Sequence, residues 1–130
     1  MFVDTHCHLD DEKFDQSITA KDLGLDMVKL AITMGCNLNG SLACQKLAEK
    51  YDNLYFGAGF HPGNQKDYNK QDFLLLKDLF SHPKCVAVGE IGLDYYWEPD
   101  AKEIQKKLFI EQIELAKELD LPVIVHDREA

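Results

Sequence analysis

The sequence predicts an α/β fold of parallel βα units, and three observations predict it. Five short apolar runs, most of them rich in β-branched or aromatic residues, recur along the 130 residues and read as buried parallel strands. Helical patterns lie between them, so strand and helix alternate as right-handed βαβ crossovers require. No linker or low-complexity tract interrupts the alternation, so residues 1–130 read as a single domain. A closed (β/α)8 barrel takes about 250 residues. The fifth run here ends just before residue 130, which leaves an open sheet or part of a barrel as the alternatives.

The first strand is expected over 1–7 and a short helix within 14–26, weakened by Gly24 inside its pattern. The second strand spans 27–34. A helix over 41–51 follows, with Cys44, Leu47, Ala48 and Tyr51 on one face. The third strand covers 54–60, and "DFLLLKDLF" drives a helix over 70–80 that stops before Pro83. The fourth strand spans 85–92. Asp100 then caps the last helix, with Glu103 three residues on as in a capping box. Ile104, Leu108, Phe109, Ile113, Ala116 and Leu119 form its apolar stripe, and Pro122 ends it before a fifth strand over 122–126.

With 45% hydrophobic residues the chain can bury a core. No apolar run approaches the roughly 18 residues that span a bilayer, and the N-terminus lacks a signal-peptide pattern, so a cytoplasmic location and no membrane partner are expected. Cys7, Cys36, Cys44 and Cys85 fall without CxxC or zinc-finger spacing, which suits reduced thiols. The net charge of −9 argues against broad electrostatic affinity for nucleic acid. It leaves phosphate chemistry open, because bound divalent cations can reverse the local sign of a site.

In parallel α/β folds the site lies beyond the carboxyl ends of the strands, and four of the five strands end in histidine or glutamate. The first supplies His6 and His8, the third His61, the fourth Glu90 and the fifth His126. His6 and His8 share one face of an extended strand while Cys7 points the other way. Three imidazoles and a carboxylate favour zinc, manganese or iron over an all-oxygen magnesium cage. A carboxylate such as Glu90 can also bridge two ions about 3.5–4 Å apart, the spacing that clamps a phosphoryl group.

Taken singly, each strand-end histidine also reads as a hydrogen-bonded turn residue; with Glu90, a metal site is the better reading. His82 is expected to meet the last carbonyls of a helix or solvent. Asp10, Asp11 and Glu12 read as a solvated acidic loop rather than as partners of the histidines. Tyr95, Tyr96 and Trp97 read as packing over a barrel mouth or against a helix, with a base-stacking platform as the alternative.

The stretches "DTHCHLD", "GFHP", "GEIGLDYY" and "PVIVHDREA" resemble, in order and spacing, the TatD family of metal-dependent deoxyribonucleases among the amidohydrolase-like TIM barrels. The resemblance covers essentially the whole chain, and Glu90 stands where many other amidohydrolases carry a lysine. It implies the N-terminal half of a TIM (β/α)8 barrel, with about five strands present. By this resemblance His6 and His8 bind one divalent ion, Glu90 bridges to a second, and His126 binds that second ion, the metals being Mg, Mn or Zn. His61 and Arg128 would contact the substrate near its phosphate. The implied reaction is hydrolysis of DNA phosphodiesters by metal-activated water, as a 3'-5' exonuclease.

A further histidine ligand and the water-activating aspartate come from later strands in that family, so no catalytic residue of that kind is expected within 130 residues. Asp127 replaces a small polar residue and would add a carboxylate near the site. The alternative is a non-enzymatic half-barrel that binds metal weakly or serves as an assembly module. Exposed sheet edges would favour a homo-oligomer if the chain ends at Ala130.

Overall fold

Each apolar run becomes a strand: β1 (Phe2–Cys7), β2 (Val28–Met34), β3 (Leu54–Ala58), β4 (Cys85–Asp94) and β5 (Val123–Arg128). The computed structural model describes residues 2–11 and 24–130. The expected helix within 14–26 therefore falls largely outside the described residues, as does Glu12. All neighbouring strands pair in parallel, in the order β1-β2-β3-β4-β5. A strand order that follows the sequence without reversal is that of successive barrel staves, not of a doubly wound sheet. The five strands thus form an open half-barrel.

Among the described residues three helices connect them: α1 (Leu38–Lys50), α2 (Lys70–Leu79) and α3 (Lys102–Leu119). The main apolar layer joins Phe56, Ala58 and Phe60 to Cys44 and Ala48 of α1, Phe73 and Leu76 of α2, and Leu108 and Leu115 of α3. Burial of this layer holds the helices against the sheet. Among the described residues no helix is long and apolar enough to cross a membrane.

Capping sets the helix starts. α1 opens before residue 41 because Asn37 Oδ1 accepts the Gly40 N–H at 2.8 Å. Asn69 does the same for the Asp72 N–H at 2.8 Å at the start of α2. The expected cap at Asp100 does not form. Pro99 instead begins a 3₁₀ turn, Pro99–Ala101, and α3 opens at Lys102 with no side-chain cap. Its last carbonyls are met by Asp120 in the left-handed conformation (φ 53°) and by Leu121 N–H, before Pro122 is reached.

The expected stripe on α3 is also corrected. Ile104 and Leu119 are exposed, whereas Gln105 and Gln112, two turns apart, are buried with Leu108, Leu115 and Ala116. Each glutamine pairs with both backbone groups of one residue at a strand's C-terminal side. Gln112 accepts the Phe60 N–H at 2.7 Å and donates to the Phe60 carbonyl at 3.1 Å. Gln105 accepts the Asp94 N–H at 2.8 Å and donates to the Asp94 carbonyl at 2.9 Å. Amide side chains are drawn inward here because buried backbone groups require partners that aliphatic residues cannot supply.

Candidate metal centre

Alternation along β1 separates its side chains into two layers. Cys7 packs against the buried cluster of Leu25, Ala31 and Leu54, which Leu47 of α1 and Tyr51 also cover, and its thiol donates to the Ile32 carbonyl at 3.3 Å. His6 and His8 turn the other way, towards Glu90 on β4. His6 Nε2 and His8 Nε2 are 3.3 Å apart, and each lies 3.2 Å from Glu90 Oε2. Donors held about 2.0–2.2 Å from a tetrahedral ion stand about 3.3–3.6 Å from one another, so this near-equilateral triangle matches a three-ligand zinc-like face. Its nitrogen and oxygen donors suit such an ion as well as its size does.

The second oxygen of Glu90 serves a different set. Glu90 Oε1 lies 3.1 Å from His126 Nδ1, and His61, Glu90 and His126 form a second group able to hold an ion. The peptide joining Gly89 to Glu90 is cis. Glu90 is 5% exposed. Burial alone would raise its carboxyl, but the His8 hydrogen bond and then the nearby His6 outweigh it and hold it down to about 2.

The imidazoles are oriented from behind. His8 Nδ1 donates to the Met34 carbonyl at 3.2 Å, which leaves Nε2 to face Glu90. The Cys36 contact at 4.0 Å, then Glu90, push His8 up to about 10. His126 Nε2 meets Asp94 Oδ2 at 2.9 Å, which leaves Nδ1 towards Glu90. Asp94 is buried; burial opposes its charge, but the Trp97 N–H and His126 bring its carboxyl below the ordinary range. His61 Nδ1 accepts the Gly63 N–H at 2.9 Å, so in neutral His61 the proton sits on Nε2. Burial, then the charge of His126, hold His61 low and favour that neutral form. Its ring meets His126 edge-on, centroids 4.2 Å apart.

Gly92 lets β4 and β5 close on this centre. It pairs with His126, has φ of 147°, and a Cβ there would run into the His126 carbonyl. Arg128, two residues beyond His126 on the same face of β5, lies over the rings of Tyr96 and Trp97.

The structure thus gathers His6, His8, Glu90, His126 and His61 at one end of the sheet and sets Arg128 beside them. Asp127 alternates to the opposite face of β5 and adds no carboxylate to the cluster. Asp10 is half-buried, and burial pushes its carboxyl up. His82 accepts the Lys84 N–H at 3.1 Å and pairs with Glu49 at 3.3 Å, away from the cluster. Tyr95 is half-buried beside Lys102 of α3, as packing against a helix would have it, but Tyr96 and Trp97 are exposed. Sequence reasoning missed Asp94. The signal was its place four residues after Glu90, which on an extended strand returns it to the same face.

The sequence model of the TatD related DNase family matches residues 3–130. The chain is 37% identical over 132 residues to the uncharacterized metal-dependent hydrolase YabD of Bacillus subtilis, covering 100% of this chain and 52% of that protein. It is 35% identical over 96 residues to the 3'-5' ssDNA/RNA exonuclease TatD of Shigella flexneri, covering 74% of this chain and 37% of that one. The crystal structure of YjjV, a TatD homolog from Escherichia coli, superposes with a TM-score of 0.83 at 33% identity, over 98% of this chain and 51% of that one. The chain spans about half the length of the curated relatives it matches.

Proposed function

This chain belongs to the TatD-related DNase family of metal-dependent hydrolases, and we propose on that premise that its protein hydrolyses DNA phosphodiesters at a two-ion centre, removing nucleotides from the 3' end. The observation that carries this reading is the division of Glu90, with Oε2 turned to His6 and His8 and Oε1 to His126. A bridging carboxylate of this form brings two divalent ions to the separation that clamps one phosphoryl group. His6, His8 and Glu90 would hold the first ion; Glu90 and His126 would hold the second.

When bound, divalent ions supply Lewis acidity to a phosphoryl oxygen and acidify a water for attack. The chain's own residues prepare the rest. Met34 and Asp94 fix the ring orientations of His8 and His126, so each turns its other nitrogen towards Glu90. His61, with its proton on Nε2, suits donation to a phosphate oxygen better than ligation. Arg128 adds a cation on the same face as His126. A second reading, an assembly module that holds an ion without hydrolysis, draws support from the exposed Phe2, Val3, Val123 and Val125 on the two outer strands.

The test is the protein expressed from its own reading frame, assayed on 5'-labelled single-stranded DNA with manganese or magnesium. Stepwise shortening that chelator abolishes and Glu90→Gln reduces at least about 100-fold is the expected result. Metal binding with no hydrolysis would favour the assembly module.

A further inference from the structure

Beside the metal centre stands a group of side chains that ion binding does not use. Tyr96 and Trp97 follow β4, and Trp97 is 66% exposed. Their rings meet edge to face, with centroids 4.7 Å apart and planes at 87°. The Arg128 guanidinium carbon lies 4.2 Å from the Tyr96 centroid and 5.4 Å from that of Trp97. One carboxylate ties the group to the centre. Asp94 Oδ1 accepts the N–H groups of Tyr96 at 3.1 Å and Trp97 at 2.9 Å, while Oδ2 holds His126 at 2.9 Å. Arg128 stands one two-residue strand rise, about 6–7 Å, beyond His126.

Among the described residues both rings face solvent, so core packing within them does not account for this arrangement. Rings held in a fixed turn, with a planar cation over them, offer π surface to a flat ligand. The chain's charge of −9 gives no diffuse attraction for a polyanion, so affinity for a nucleic-acid strand must come from local contacts. Resting on the nuclease reading above, we propose that Tyr96, Trp97 and Arg128 form a platform that stacks one nucleobase of a single DNA strand whose phosphate lies at the metal centre. Stacking is tolerant of base identity, since every base presents a π face. The platform therefore holds and registers the strand without selecting a sequence.

The emission that Trp97→Phe removes belongs to Trp97, the sole tryptophan of these 130 residues, and reports on the platform. The experiment titrates the protein expressed from its own reading frame, with magnesium present, with a thymidine hexamer and with an abasic hexamer of equal charge. Saturable quenching by the first and none by the second is expected. Anisotropy of a labelled hexamer should show about tenfold weaker binding for Trp97→Ala, with Trp97→Phe near the parent. Equal quenching by both hexamers, or none by either, overturns the platform. Chelator-sensitive hydrolysis without base-dependent quenching would remove the platform alone. Base-dependent quenching without hydrolysis would keep the platform and remove the nuclease reading.

Discussion

Asp94 Oδ2 holds His126 Nε2 at 2.9 Å, and this contact decides which nitrogen of His126 is left to face Glu90. A carboxylate behind a ligating imidazole fixes its tautomer and raises its basicity. Asp94→Asn keeps a carbonyl for the Tyr96 and Trp97 N–H groups but loses the charge behind His126. We expect affinity for the second ion to fall about 10–100-fold, with the His6 and His8 site little changed, in calorimetric titration with zinc or manganese.

Removing Glu90 should act on both ions together. Because its two oxygens serve separate imidazole sets, Glu90→Gln is expected to abolish high-affinity binding of the second ion and weaken the first. His6→Ala should weaken only the first. Stoichiometry by titration distinguishes the two patterns, and equal effects of both variants would count against a bridging role.

The buried glutamines of α3 predict a stability cost in a place that hydrophobicity does not mark. Gln112→Ala leaves the N–H and carbonyl of Phe60 without their partner. Each orphaned buried group costs about 1–3 kcal/mol, so a loss of about 2–6 kcal/mol is expected in urea unfolding. Exposed Glu118→Ala should fall within about 0.5 kcal/mol of the parent.

Gly92→Ala should be more damaging than its one added methyl suggests. The residue holds φ of 147°, and the new Cβ would meet the His126 carbonyl. Pushing β5 away from β4 moves His126 from Glu90, so we expect both lower stability and loss of the second ion. Near-parent stability together with intact two-ion binding would refute the close approach at this pair.

Thiol reactivity follows from burial. Cys7 and Cys85 are each pushed up to about 12, chiefly by burial, and Cys44 is pushed higher still by the same cause. A raised thiol pKa keeps the unreactive protonated form dominant at pH 8, whereas unfolding restores an ordinary thiol and its thiolate fraction. Mass spectrometry after iodoacetamide at pH 8 should therefore find native labelling led by Cys36, and four adducts once urea is added.

Much of this centre was legible because strand geometry is periodic. The His-x-His pattern of β1 and the histidine in "IVH" each place a side chain by alternation alone, and the chain's family resemblance agreed with them. Asp94 escaped because the apolar run that marks β4 stops before it, while the strand itself continues through pairing of Asp94 with Arg128. The face of α3 was misread for a different reason. Its inward residues are chosen by unpaired backbone at Phe60 and Asp94, a demand that leaves no trace in a hydrophobic stripe. The Asp100 cap failed because Pro99 preset a tighter turn one residue earlier.

The two layers of β1 have a genetic consequence. Whether an imidazole or a thiol faces Glu90 depends on parity, since His6 and His8 occupy even positions of the strand register and Cys7 the odd one between them. Substitution can tune either layer separately. A single-codon insertion or deletion between Phe2 and His6 would exchange them wholesale, sending both histidines into the helix layer. Along this stretch the count of residues is under tighter constraint than the identity of most of them.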